Sequence, residues 1–147
     1  MNGRYGFVTL CCFSACCLVL MGCSGGAAFP KIKGQVLLDN EPVSDARVEF
    51  KGKAGQTAVT DKDGKFEFDG SSPYLTLKPG TYKVVITKLV DKKTGAAITP
   101  ENYPQQMFAG TAKNSLPPVY EKENTTPLTA EIKEGNNELK PFELKSK

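Results

Sequence analysis

The sequence predicts an all-β fold, a sandwich or barrel of short strands, and three observations support it. Short runs rich in β-branched and aromatic residues recur along the chain from about residue 31, clusters of Gly, Pro, Asn and Asp separate them at close spacing, and no stretch there holds a helical period. Because successive side chains of a strand point to opposite faces, each run also states which residues go inward.

The first strand is expected at 31–38, with Ile32, Val36 and Leu38 on one face and Gly34 where the backbone packs closely. Asp39-Asn40-Glu41-Pro42 then turns the chain. In 46–51, Ala46, Val48 and Phe50 alternate with Arg47, Glu49 and Lys51, so one face of that sheet is wet. Residues 57–60 and 65–68 are read as the arms of a hairpin, with Phe66 and Phe68 inward. Between them Asp61-Lys62-Asp63-Gly64 supplies an Asp to start the turn and a Gly for its positive φ. The same four residues resemble the opening of a calcium loop, but the position that must give a bidentate carboxylate falls on Ser72, so the plain turn is the expectation.

Lys78-Pro79-Gly80 leads into 81–88, where Tyr82, Val84 and Ile86 form the clearest core stripe and Val85 adds apolar character to the other face. Periodicity then stops. Residues 91–118 carry Thr99-Pro100, Tyr103-Pro104, Met107-Phe108 and Leu116-Pro117-Pro118, a connection long enough to be functional in its own right. Strands resume at 126–133 with Leu128, Ala130 and Ile132, and Gly135-Asn136-Asn137 turns into a closing strand at 138–144. There Leu139 is out of phase with Phe142 and Leu144, and Pro141 lacks a ladder donor, which predicts a bulge or an edge position.

The N-terminus is organised differently. After Arg4, an uncharged apolar run extends to Leu20, giving the charged and apolar regions of a secretory signal peptide, too short for a comfortable membrane span. It closes on Leu20-Met21-Gly22-Cys23, which resembles the lipobox of bacterial lipoproteins. The resemblance implies cleavage between Gly22 and Cys23, acyl chains on the Cys23 sulfur, and attachment to a membrane outside the cytoplasm, the outer membrane where one exists. The chain is thus read as a leader at 1–22, a lipidated tether at 23–30 of small residues, and one domain at 31–147.

Composition removes whole classes of chemistry. All five cysteines lie between Cys11 and Cys23, and there is no histidine or tryptophan. The domain therefore has no thiol, no Ser/His/Asp or Cys/His arrangement and no ordinary zinc site, and it is expected to hold no metal or cofactor and to be no enzyme. Acid pairs such as Glu121 with Glu123 have no spacing that defines a catalytic geometry. The net charge of +3 comes from interspersed residues without a basic block, so nucleic acid is not an expected partner.

Gly34-Gln35-Val36, Asp39-Asn40-Glu41-Pro42-Val43, Thr60-Asp61-Lys62-Asp63-Gly64-Lys65-Phe66 and Leu77-Lys78-Pro79-Gly80-Thr81-Tyr82 together resemble the landmarks of carboxypeptidase regulatory-like domains. That resemblance implies a transthyretin-like, seven-stranded Greek-key β-sandwich, an accessory module without catalysis whose loops choose a partner. Adhesin modules of similar topology join a lysine to an asparagine beside a buried acid. Here Lys31 or Lys33, Asn136 or Asn137 and Glu67 are available, but Glu67 alternates with core residues and is expected in solvent. The candidate partner-binding residues are Tyr103, Phe108 and Tyr120, aromatics in or beside the long connection, which either grip a protein or polysaccharide or fold down as a cover on the sandwich. The alternative function is an inert assembly subunit of the cell envelope that pairs through an edge strand.

Overall fold

The computed structural model describes residues 30–52, 56–69, 77–99 and 103–146. The expected leader, Gly22 and Cys23, the expected site of lipid attachment, lie outside the described residues. Strand β1 (Lys31–Leu38) buries Ile32 and Val36 completely, as its alternation requires, and is the spine of the first sheet. It is followed by β2 (Glu41–Pro42), β3 (Arg47–Lys51), β4 (Gln56–Val59), β5 (Lys65–Asp69), β6 (Gly80–Thr87) and β7 (Leu89–Asp91). Beyond these come the helix α1 (Tyr103–Phe108), β8 (Ala112–Asn114), a 3-10 turn at Pro118–Tyr120, then β9 (Thr129–Ile132), β10 (Asn136–Glu138) and β11 (Phe142–Leu144).

On one flank of β1 lie β5 and, at its far end, β2, both antiparallel; on the other flank β10 and then β11 run parallel to it. The second sheet has the order β4-β3-β6-β9 and is antiparallel throughout. Inward residues of both sheets form one core cluster, in which Ile32, Val36, Phe66 and Leu144 of the first sheet meet Val48, Phe50, Ile86 and Ile132 of the second. Phe66 ties the layers together. Its ring centroid lies 6.4 Å from that of Phe50 across the core and 6.1 Å from that of Phe142, stacked on it. Each such side chain contributes about 1.5–3 kcal/mol by leaving water.

Local chemistry explains several elements. Gly34 sits opposite Phe66, and a Cβ there would come within 2.6 Å of that ring, so the bare backbone makes room for the aromatic. The 61–65 turn is closed by the Asp61 carboxylate, which accepts from Asp63 N at 2.9 Å and Lys65 N at 2.8 Å, with Gly64 at φ 69°. Buried Thr60 bridges two segments: its hydroxyl accepts from Ala46 N at 2.8 Å and donates to Val43 O at 2.6 Å. On the outer face of the first sheet, Lys33 and Glu67 form an ion pair at 3.3 Å with both side chains more than half exposed, and the Asn137 amide is engaged elsewhere.

The C-terminal strands depart from the expected pattern. The chain pairs with β1 from Asn136 onward, earlier than expected, and breaks at 139–141, where Pro141 and the phase slip of Leu139 had predicted irregularity. At 126–128 the expected strand is replaced by a side-chain device: Thr126 donates its hydroxyl to Val84 O at 2.7 Å, standing in for a ladder bond beside Pro127.

The outer edge of β9 is short for the same kind of reason. The bond from Val84 N to Leu128 O and the pairing of Tyr82 with Ala130 turn the even residues toward β6, so Thr129, Glu131 and Lys133 aim their backbone groups outward. Pro127 has no N–H to offer on that line. At the other end the Asn137 amide accepts from Lys133 N at 2.7 Å and donates to Lys133 O at 2.8 Å, as a neighbouring strand would. Two residues of open edge remain.

The two ends of the molecule differ in what they hold. Lys31, Gly135 and the start of β6 at Gly80 gather at one end, where Lys31 N bonds Gly135 O and Gly80 pairs with Ile132. The Leu38–Glu41 turn, Thr60 and the exit of β6 at Thr87 gather at the other.

Candidate binding surface

Residues 88–115 leave that second end as an excursion. Its base is clasped by Asn114, whose Oδ1 accepts from Lys88 N at 3.0 Å and Leu116 N at 3.2 Å, while Lys88 O accepts from Ser115 N at 2.8 Å. Asn114 Nδ2 is buried without a partner among the described residues. Strands β7 and β8 pair antiparallel from Leu89 with Asn114 to Asp91 with Ala112, and Val90 also bridges to Ala97.

The turn after β7 is built round Asp91, which is only 8 % exposed. Its Oδ1 accepts from Thr94 N at 2.8 Å, Lys93 N at 2.9 Å and the Thr94 hydroxyl at 3.1 Å. These bonds, led by that from the Thr94 backbone, hold the carboxyl below the ordinary Asp range although desolvation opposes them. The far side of the excursion is secured by Thr111, whose hydroxyl reaches Gln106 Oε1, and by Lys92, which bonds Thr111 O through its N–H and Gly110 O through its Nζ at 3.1 Å.

Beneath the excursion runs a groove of about 370 Å³ on the outer face of the second sheet. Arg47 and Val59 form its floor, and Leu89, Ile98, Tyr103 and Pro104 its wall. Threonines 57 and 87 and Asp45 also line it. The floor residues alternate with core Val48 and Ala58, which is why a strand so well packed inward still shows Val59, 47 % exposed, to the groove.

The three candidate aromatics part company. Tyr103 opens α1, lines the groove and is 37 % exposed, and Phe108 ends the same helix at 94 % exposure. Tyr120 is in the core cluster at 6 % exposure, and its hydroxyl accepts from Lys145 N at 2.9 Å, fastening the C-terminal segment; it shares no surface with the other two. Arg47, Leu89 and Ile98 were not singled out from the sequence. The available signal was apolar Val59 and Val85 on a face otherwise expected to be wet, which implies that something lies over it.

Among the described residues neither ion pair lines the groove, although Glu49 with Lys51 lies on the same outer face, opposite Thr57, and no group of three or more Cys, Asp or Glu is placed to hold a metal. The surface can bind through an apolar groove, exposed rings and cations. No protein-family model matches the chain, and no curated protein matches it.

Proposed function

We propose that this chain is a non-catalytic envelope lipoprotein, held to a membrane through Cys23, whose carboxypeptidase regulatory-like sandwich presents the 88–115 excursion to a protein or polysaccharide partner. Strands β10 and β11 lie end to end along β1; taken as one strand they leave three long strands in the first sheet and four in the second, which supports the seven-stranded Greek-key reading.

One observation carries the functional part. The tether would enter at Lys31, and the excursion leaves from the opposite end of the sandwich, so a lipid at Cys23 places the groove, Tyr103 and Phe108 on the side away from the bilayer. An extended strand of eight residues such as β1 spans about 26 Å, enough to lift that surface clear of headgroups. The alternative, assembly through an edge strand, has less support at β9, where Pro127 and Asn137 leave little backbone open.

The test is recovery of crosslinked neighbours from intact cells carrying the wild-type chain, the Tyr103→Ala/Phe108→Ala variant or Cys23→Ser. Wild type should need detergent for extraction and should capture a partner that the double variant loses. Cys23→Ser should be released without detergent. Capture unaffected by the double variant, or wild type soluble in buffer alone, overturns the reading.

A further inference from the structure

We propose that the excursion and the groove beneath it bind an acidic polysaccharide, with lysines pairing its anionic groups and the rings of Tyr103 and Phe108 lying against sugar faces. This rests on the reading of the excursion as the binding surface and names its partner's chemistry. Residues 88–116 hold Lys88, Lys92, Lys93 and Lys113 against two acids, Asp91 and Glu101, and so supply most of the chain's formal +3. Asp91 is turned into its own turn, where backbone and hydroxyl donors occupy its oxygen. Lys92, Lys93 and Lys113 are exposed, and neither they nor Arg47 forms an ion pair among the described residues. Asp45 lines the groove with Arg47 and offsets its charge, and no lysine lines it, so the attraction comes from the excursion's own surface, where Lys92 Nζ bonds Gly110 O two residues beyond Phe108.

The remaining features choose among anions. Phe108, at 94 % exposure, is an open platform with no pocket around it. A flat ring suits the flat face of a sugar. An acidic peptide would take its affinity from main-chain pairing with a sheet edge, such as β4 beside the groove, and would leave the exposed ring of Phe108 unused. An anionic bilayer is reached by the other end of the sandwich. Cations spread over the 92–94 turn and strand β8 fit a polymer that repeats its charge.

The experiment measures binding of the full lipidated protein, in detergent micelles, to three probes: polygalacturonate, its neutral methyl ester and polyglutamate. Polygalacturonate should bind, and binding should weaken as added salt shortens the screening length from about 30 Å to about 8 Å. Replacing Lys93 and Lys113 by Gln, which leaves the Lys92 bond to Gly110 O in place, should weaken it about fivefold and flatten the salt dependence, and Phe108→Ala should weaken it about fivefold. All of these residues are exposed, so melting temperatures should match wild type. No binding of polygalacturonate, equal binding of the ester, or polyglutamate binding as well with no effect of Phe108→Ala overturns the proposal. The functional reading survives those results if the cellular partner is still lost in Tyr103→Ala/Phe108→Ala, and falls independently if it is not.

Discussion

Thr60→Val is the substitution whose cost follows most directly from the structure. Valine matches threonine in shape but removes the hydroxyl that accepts from Ala46 N and donates to Val43 O. Thr60, Ala46 and Val43 are 3 %, 0 % and 6 % exposed, so water cannot replace either partner. Leaving one buried backbone group unpaired costs about 1–3 kcal/mol, and the added methyl returns about 0.8 kcal/mol. With two such groups the cost is about 2–6 kcal/mol, so the net loss should be about 1–5 kcal/mol, a large share of the about 5–15 kcal/mol that holds a domain folded. Equilibrium unfolding in urea, followed by circular dichroism, reads it as a lower midpoint at unchanged slope. Thr60→Ser keeps both bonds and should lose less than about 1 kcal/mol. If the two variants are equally stable, the bridge is not what joins the turn after β2 to β4, and the reasoning fails.

Two further outcomes follow from side chains that stand in for backbone. Asn137→Ala frees the N–H and C=O of Lys133 and lengthens the open edge of β9, so sedimentation should show more self-association than wild type as concentration rises; an unchanged profile would mean the amide does not guard the edge. The Asp91 turn should be acid-sensitive. Its folded pKa is lowered, so its contribution is present above the ordinary value of 3.8 and is lost as pH falls through the folded value. Pepsin should therefore nick 88–115 faster as the pH drops below 3.8 in wild type and at a steadier rate in Asp91→Asn, which keeps an acceptor but does not titrate; identical pH profiles would contradict the assignment.

What could be read in advance was what depends on local alternation. Ile32 and Val36, Val48 and Phe50, and Phe66 and Phe68 went inward as period two required, and Gly34 and the Asp61 turn had their reasons in a few neighbouring residues. Pro141 marked the break between β10 and β11 because a missing donor is a local fact. That these strands run parallel to β1 was not legible, since the partner lies about a hundred residues away and parallel pairing leaves no turn between them. The candidate surface was half legible. Tyr103 and Phe108 stood out as aromatics in a segment without period. Tyr120 belonged to the core because its hydroxyl finds Lys145 N, and Arg47 joined the groove because β7 and Ile98 come to rest above it; both depend on tertiary placement.

The most direct measurement of the central claim is photocrosslinking in intact cells, with a photoreactive phenylalanine analogue placed either at position 108 on the excursion or at position 131 on the β9 edge. The account predicts a discrete crosslinked partner from position 108 and little from position 131. A partner captured from position 131 with none from position 108 would contradict it and favour assembly through the sheet edge.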